Sequence, residues 1–431
     1  MKKNIFKTTA MLFVALAWGA CKDDNATTTQ LATITIENVL NSKPLVESGT
    51  FKGPGTPPVI LPGQSVSFTF SAAKNQRLTF ATMYGWSNDL FFAPENPGIM
   101  LYKDDGTPIT GDVSSQIKLW DNGTRANQEP GADATHPGIA EAPAKNIKEV
   151  NGEDDYGNTY LSASQLMNVS LAYEGNSMFK VTIMNISGGT DNETPFSPGV
   201  WAISYVAGGN LLLAEPIYSK DKPSANGLTN IAEGGDNAVL STYLTGLTGT
   251  FTPLSPVLVV VYQGSANPFY KTGEKDRGMG LKDLAQKGNA DVLAASLKTM
   301  AGVKEAYVLK EATSTVLLPM INGAAGGKVS QQLTVSPGDR IAVATMYGFS
   351  NDWFFATTGK DLDASKKGDV SDMMGLFDNG TAVNQYPGAG ITQFNLAGTP
   401  LDESKTIETV PIMNEFTTLP AVSSIIKVTL Q

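Results

Sequence analysis

The sequence predicts a mainly all-β protein that contains two tandem antiparallel β-sandwiches. One block occurs twice, as ATMYGWSNDLFFA at 81–93 and as ATMYGFSNDWFFA at 344–356. A second block also occurs twice, as GDVSSQIKLWDNGTRANQEPGA from Gly111 and as GDVSDMMGLFDNGTAVNQYPGA from Gly368. Short runs of alternating apolar residues lie around these blocks, as expected for strands with one buried face. The recurrence of both blocks in the same order indicates that a whole domain is duplicated.

Residues 1–20 are predicted to be a signal peptide. Basic residues at the start are followed by an apolar run that is too short to span a membrane and that ends before Cys21. Cys21 is the only cysteine of the chain, so it cannot form an internal disulfide, and we expect it to be lipidated. Residues 21–31 then form a polar tether. The Lys-Asp-Asp run after Cys21 is similar to a surface-export signal of some gram-negative bacteria, so we expect a surface-exposed lipoprotein of the outer membrane.

The first sandwich is assigned to residues 32–190. Thr33–Val39 alternates apolar and polar side chains and is predicted to open this domain. Val66–Phe70 is predicted to be its second strand, and Met178–Ile183 is predicted to close it.

The second sandwich is assigned to residues 251–431, and its last strand, Ile425–Leu430, is taken as the counterpart of the strand that closes the first domain. A short helical segment is expected near 281–303, where apolar residues recur at helical spacing around a Gly-Asn break. Residues 191–250 connect the two sandwiches. Because part of this segment recurs after residue 250, it could complete the first domain or pack as an extra element between the two.

The repeated blocks place carboxylates in turns next to buried aromatic residues. Asp89 and Asp352 follow Ser-Asn in the first block, and Asp121 and Asp378 begin an Asp-Asn-Gly-Thr turn in the second. Two carboxylates and several amide or hydroxyl oxygens on adjacent loops are the oxygen ligands that Ca²⁺ prefers. The alternative is that these side chains only hydrogen-bond the backbone of their own turns.

The combination of Ser-Asn-Asp-x-Phe-Phe-Ala with Asp-Asn-Gly-Thr, present twice, resembles the spondin N-terminal domain in its bacterial form. The resemblance implies an eight-stranded antiparallel sandwich, similar to C2 domains, that binds Ca²⁺ through loops at one end. It implies that the metal ligands include Asp89 and Asp121 in the first copy and Asp352 and Asp378 in the second. The position of the family's third acid is Arg125 in one copy and Ala382 in the other. Neutral oxygens could then come from Asn127 and Asn384, with Asn88 and Asn351 as secondary ligands.

The composition disfavours several other classes of function. A net charge of −10 argues against nucleic-acid binding, which needs a basic surface. One histidine, His136, and one cysteine leave no Ser-His-Asp triad and no thiolate zinc site. We therefore expect a protein that is not an enzyme and that binds an extracellular protein or glycan. The alternatives are a hydrolase that acts on polysaccharide through a pair such as Asp89 and Asp121, and a structural envelope protein without a ligand.

Overall fold

The computed structural model of the protein describes residues 29–359, 362–393, 396 and 398–431. The predicted signal peptide at 1–20, the lipidation site Cys21 and most of the predicted tether lie outside the described residues. Strands account for 36% of the chain and helices for 11%, in several antiparallel sheets, which confirms the mainly all-β prediction. Within the described ranges, no helix is long and apolar enough to cross a membrane.

The strands are short and joined by turns and loops. In chain order, the strands of the described residues are β1 (Gln30–Asn38), β2 (Leu45–Phe51), β3 (Ser65–Ser71), β4 (Arg77–Met83), β5 (Leu90–Pro94), β6 (Ile99–Met100), β7 (Gly111–Asp112), β8 (Ile117–Asp121), β9 (Lys148–Val150), β10 (Met167–Gly175), β11 (Met178–Asn185), β12 (Gly199–Ser204), β13 (Val206–Ala207), β14 (Asn210–Leu211), β15 (Val257–Tyr262), β16 (Val303–Leu309), β17 (Lys328–Val335), β18 (Arg340–Met346), β19 (Trp353–Thr357), β20 (Leu362–Asp363), β21 (Gly368–Asp369), β22 (Met374–Asp378), β23 (Glu408–Thr409) and β24 (Ile426–Leu430). The α-helices are α1 (Ala163–Leu166), α2 (Leu228–Gly234), α3 (Ala238–Leu247), α4 (Leu281–Lys287) and α5 (Asp291–Lys298).

Two sheets form the first sandwich, with the strand orders β3-β11-β10-β7 and β2-β12-β4-β5-β8-β9. Aromatic side chains from both sheets meet in the core between them. Phe68 of β3 stacks on Trp201 of β12 with ring centroids 5.1 Å apart, and it stacks on Phe51 of β2 at 5.5 Å. The second sandwich has the corresponding orders β17-β1-β24-β21 and β16-β15-β18-β19-β22-β23.

The prediction that residues 33–39 open the first sandwich is wrong. β1 pairs with β17, with Ile36 opposite Val329, and with β24, with Ile36 opposite Val428. It therefore lies inside the second sandwich. The corresponding position of the first sandwich, between β3 and β10, is filled by β11.

Two asparagines identify β1 as the structural counterpart of β11. Asn38 donates from Nδ2 to the carbonyl oxygens of Thr252 and Leu317, and Asn185 donates in the same way to Ile60 and Thr194. Consequently β24 corresponds to β10 and not to β11, which corrects the pairing of 425–430 with 178–183. The first sandwich, which starts at β2, is thus inserted in the chain between β1 and β15 of the second.

The segment 191–250 contributes to the first sandwich. Its strand β12 pairs with β2 and β4, and its helices α2 and α3 pack on the outer face of the larger sheet, against Phe91 and Trp120. In the second sandwich α4 and α5 pack in the same way against Phe354 and Phe377. Because helices and core cover both faces of these sheets, a central strand such as β15 is apolar and buried along its whole length.

The helical segment near 281–303 forms two helices. α4 ends at Gly288, whose backbone has a φ of 67°. Its N–H donates to the carbonyl of Leu284 at 2.9 Å, a helix end that favours glycine because a Cβ is strained in this left-handed conformation. The following strand β16 then returns to pair with β15.

Candidate functional site

The first predicted site lies where β4, β5 and β8 end together. Ser87 shapes the turn between β4 and β5, because its hydroxyl donates to the carbonyl of Tyr84 at 2.7 Å and accepts from the N–H of Leu90 at 3.0 Å. This turn places Asp89 inside the protein, with none of its surface exposed. The Asp121-Asn122-Gly123-Thr124 turn, which continues from β8, covers it.

The two carboxylate oxygens of Asp89 have very different surroundings. Oδ2 accepts three hydrogen bonds, from the N–H of Thr124 (2.7 Å), the hydroxyl of Thr124 (2.9 Å) and the N–H of Arg125 (2.8 Å). Oδ1 is buried and has no hydrogen-bond partner. Burial, and then the nearby charge of Asp121, raise the pKa of Asp89 to about 7. One oxygen is therefore held by the turn, and the other is left without a partner.

Asp121 is bound by its own turn and by Asn127. Its Oδ1 accepts from the N–H of Gly123 at 2.7 Å, and its Oδ2 accepts from Nδ2 of Asn127 at 2.8 Å. Burial raises the pKa of Asp121, and the charge of Asp154 acts in the same direction. The side-chain oxygens of Asn122 and Asn127 are buried without a partner, so unpaired oxygens are found on three neighbouring side chains of this site.

The second domain repeats the arrangement at Asp352 and Asp378. Oδ2 of Asp352 accepts from the N–H of Thr381 (2.7 Å), its hydroxyl (3.0 Å) and the N–H of Ala382 (2.9 Å), and Oδ1 is buried without a partner. Burial and the charge of Asp378 raise the pKa of Asp352 to about 7. Asp378 accepts from Gly380 N–H at 2.7 Å and from Nδ2 of Asn384 at 2.6 Å.

Arg125 does not lie against the first site as an unpaired positive charge. Its Nη2 is 2.8 Å from Oε2 of Glu233 on α2, and Oε1 of Glu233 lies 2.7 Å from the Thr124 hydroxyl oxygen, whose single proton it shares with Asp89. In the second domain Ala382 replaces the arginine and Gln286 on α4 replaces Glu233, with its Nε2 donating to the hydroxyl of Thr381 at 3.0 Å. Arg125 and Glu233 have opposite charges, and their counterparts Ala382 and Gln286 are both uncharged. These two positions therefore add no net charge to the site in either copy.

Asn127 and Asn384 differ in whether their oxygens are free. Oδ1 of Asn384 accepts from Nε1 of Trp353 at 2.7 Å. The first copy has Leu90 at the corresponding position, so Oδ1 of Asn127 has no donor. The substitution of tryptophan for leucine therefore removes one available oxygen from the second site.

The asparagines before the buried aspartates hold the neighbouring loops. Nδ2 of Asn88 donates to the carbonyl of Thr135 at 2.8 Å, and its Oδ1 accepts from the N–H of Gln128 at 2.7 Å. Nδ2 of Asn351 donates to the carbonyl of Val383 at 2.7 Å, while its Oδ1 is buried and unpaired. The oxygen of Asn88 is therefore already used in positioning a loop.

Sequence comparison of the two copies missed one acid near each site. Burial raises the pKa of Asp121 and of Asp378, and a further acid adds to each shift: Asp154 at Asp121, and Glu403, whose Oε1 is buried and unpaired, at Asp378. Asp154 belongs to a run of acidic residues in a long loop, which is a weak signal. Nothing in the sequence around Glu403 marks it. These acids come from loops that are distant in sequence, so their approach depends on the fold.

Each site offers several oxygen atoms that could bind a cation. No group of three or more His, Cys, Asp or Glu side chains in the described ranges is arranged to hold a metal ion. Each site nevertheless combines two aspartates with buried oxygens that lack a hydrogen-bond donor. Such unpaired oxygens are costly in a protein interior unless a proton or a cation reaches them. Carboxylate and amide oxygens are of the chemical type that a hard cation takes as ligands.

No family model matches the chain, and no curated protein matches it.

Proposed function

We propose that this chain is a surface-exposed lipoprotein of the outer membrane that binds an extracellular protein or glycan through loops organised by a cation. The two domains would present two such loop regions on one tether, so a repeated target could be bound with the gain in affinity that multivalency provides. The spondin-like blocks, the predicted signal peptide and the lone Cys21 support this proposal.

One observation carries the cation-binding part of the proposal. The same aspartate in both domains, Asp89 or Asp352, is fully buried and has one carboxylate oxygen bound by three donors and the other bound by none. A second acid is close enough in each domain to raise the pKa of this aspartate, which a turn that served only its own backbone would not need. The repetition of this asymmetry in two copies supports a shared ligand.

Calcium is the cation that these residues suit best. It takes oxygen ligands from carboxylates and amides in flexible numbers, whereas Mg²⁺ demands a stricter geometry. In the first domain Asp89 and Asp121 would hold it, with Asn122 and Asn127 as neutral oxygens. In the second domain Asp352 and Asp378 would hold it, with Asn379. A bound cation would supply positive charge between the paired acids and would order the loops that carry them.

The burial of the acid pairs supports binding over catalysis. Asp89 is fully buried and Asp121 is 7% exposed, so a polysaccharide would have little access to this pair. A glycosidase needs both carboxyl groups on either side of the bond that it cleaves.

The path of the chain supports an outward orientation of the second site. Gln30, the first residue of β1, lies opposite Val335 at the end of β17, and a short turn then leads into β18. The second site begins after the far end of β18, so Gln30 and this site are separated by about 20 Å of strand. A lipid anchor at Cys21 would therefore hold the loops away from the membrane.

Thermal unfolding with excess Ca²⁺ and with a chelator tests the cation sites. We expect Ca²⁺ to raise the midpoint, because a ligand that binds only the folded state must stabilise it. A chain that carries both Asp89→Asn and Asp352→Asn should lose this rise. The matched control is Asp112→Asn with Asp369→Asn, since these exposed aspartates occupy corresponding positions at the ends of β7 and β21, and each accepts hydrogen bonds from the serine two residues later. An unmodified chain that is folded in both conditions and unaffected by Ca²⁺ would contradict the proposal.

A further inference from the structure

The segment 384–390, which follows the Asp-Asn-Gly-Thr turn of the second domain, packs against the first sandwich. Gln76, in the turn between β3 and β4, donates from Nε2 to the carbonyl oxygen of Gly388 at 2.7 Å. Asn176, in the turn between β10 and β11, donates from Nδ2 to the carbonyl oxygen of Asn384 at 2.9 Å. Two turns of the first sandwich therefore hold the backbone of this docking segment by hydrogen bonds.

The docking segment also approaches the first sandwich very closely. Gly388 has a left-handed backbone with a φ of 91°, and a Cβ added to it would lie 2.1 Å from the ring of Tyr205 in the first sandwich. Tyr205 also stacks on Phe349 of the second sandwich, with ring centroids 6.0 Å apart. A larger residue in place of this glycine would therefore push the two sandwiches apart.

The first domain carries the same sequence motif but does not bury it. Its Asn-Gln-Glu-Pro-Gly-Ala corresponds to Asn-Gln-Tyr-Pro-Gly-Ala in the docking segment. Gln128 is exposed, whereas its counterpart Gln385 is only 5% exposed. Glu129 is exposed, whereas its counterpart Tyr386 is half-buried, with its hydroxyl 3.4 Å from the carbonyl oxygen of Val46 in β2. The motif thus has a charged residue where it faces solvent and an aromatic residue where it packs on the other domain.

One residue of the docking segment contacts the acid pair and the first sandwich at once. Nδ2 of Asn384 donates to Asp378, and its Oδ1 accepts from Trp353. Its carbonyl oxygen accepts from Asn176 of the first sandwich. The N–H of Ala382, two residues earlier, donates to the buried aspartate of the same site. A change at the acid pair therefore acts on the backbone that the first sandwich binds.

We propose that a cation at Asp352 and Asp378 strengthens the docking of the second sandwich on the first. This inference rests on the cation binding proposed above. Without a cation the two acids repel each other when both are ionised, which disorders the turn that leads into the docking segment. A cation between them orders this turn, so less conformational entropy remains to be lost when the segment docks. Because coupling between two binding events is reciprocal, docking in turn strengthens cation binding at this site.

Hydrogen exchange followed by mass spectrometry tests the effect of the cation on docking. The chain with Asp89→Asn keeps only the second site, so any protection by Ca²⁺ originates there. We expect Ca²⁺ to slow exchange in the turn at 73–77 about threefold or more, because Gln76 of this turn binds the docking segment. The control chain carries Asp352→Asn as well and should show no slowing.

Isothermal titration calorimetry with Ca²⁺ tests the reciprocal effect in the same Asp89→Asn chain. Adding Asn176→Gly removes the side chain that binds the docking segment, while glycine keeps the left-handed backbone, whose φ is 50°. It should weaken Ca²⁺ binding about twofold to fivefold, part of the effect of one hydrogen bond. Asn226→Gly is the matched control, because Asn226 is also left-handed, with a φ of 57°, but lies just before α2.

Circular dichroism would verify that each of these chains is folded. Equal Ca²⁺ affinity of the Asn176→Gly and Asn226→Gly chains, or Ca²⁺ binding without slower exchange at 73–77, would overturn the coupling and leave the cation site in place. No Ca²⁺ binding by the Asp89→Asn chain would overturn the second cation site itself, and with it the coupling.

Discussion

The assignment of β1 to the second sandwich predicts that a change at Asn38 destabilises the distant end of the chain. Asn38 is fully buried, and its amide donates to the carbonyl oxygens of Thr252 at 3.0 Å and Leu317 at 2.9 Å. Its own oxygen accepts from the N–H of Leu40 at 3.2 Å. Asn38→Ala removes all three hydrogen bonds.

The size of the destabilisation depends on which backbone groups are left without a hydrogen-bond partner. The carbonyl of Leu317 keeps a second hydrogen bond, from the N–H of Leu254 at 2.9 Å, so this carbonyl loses only one of its two hydrogen bonds. The carbonyl of Thr252 and the N–H of Leu40 lose the partner provided by Asn38. With about 1–3 kcal/mol for a buried group left unpaired, and less for the shared carbonyl, we expect Asn38→Ala to lower the free energy of unfolding of the second sandwich by about 2–5 kcal/mol.

Hydrogen exchange followed by mass spectrometry can locate this loss. Asn38→Ala should accelerate exchange in β17 and β24, which flank β1, and should leave β3 and β10 nearly unchanged. The control is Asn185→Ala, which removes the corresponding bonds of β11 and should accelerate exchange in β3 and β10 instead. Faster exchange of β3 in the Asn38→Ala chain, with β17 and β24 still protected, would refute the placement of β1.

Two further predictions concern the aspartate loops. The pKa values of Asp89 and Asp352 are raised to about 7 in the folded chain, so the folded state keeps protons that the unfolded state releases near pH 4. Without Ca²⁺, the midpoint of thermal unfolding should therefore decrease as the pH is raised from 5 to 7.5. A chain with both aspartates changed to asparagine should show a smaller fall, and an equal fall would contradict the shifted pKa values. Arg125→Ala should destabilise the first sandwich by about 1–3 kcal/mol because it leaves the mostly buried carboxylate of Glu233 unpaired. Adding Glu233→Gln recreates the uncharged pair of the second domain and should restore much of the lost free energy of unfolding, as measured by chemical denaturation. If the two substitutions instead destabilise the chain additively in this double-mutant cycle, Glu233 does not compensate the charge of Arg125.

Local pattern alone determined much of what is found here. The duplicated blocks predicted the duplicated domain, and alternating apolar residues predicted strands such as β1 and β3, because alternation reports which side chains face a core. The turn chemistry of Ser-Asn-Asp and Asp-Asn-Gly-Thr marked the four aspartates, since short polar side chains and a glycine are what such turns need. All four lie in turns at the ends of strands, as their sequences indicate.

Tertiary structure decided which elements are neighbours. The run ATITIEN has the same alternation whichever sheet it joins, and alternation does not specify the adjacent strand, so only the fold could place β1 between β17 and β24. For the same reason the sequence did not reveal that Glu233 on α2 neutralises Arg125, or that Glu403 approaches Asp378. These contacts join residues that are distant along the chain, and their formation depends on how helices and loops pack around each sandwich rather than on any local sequence preference.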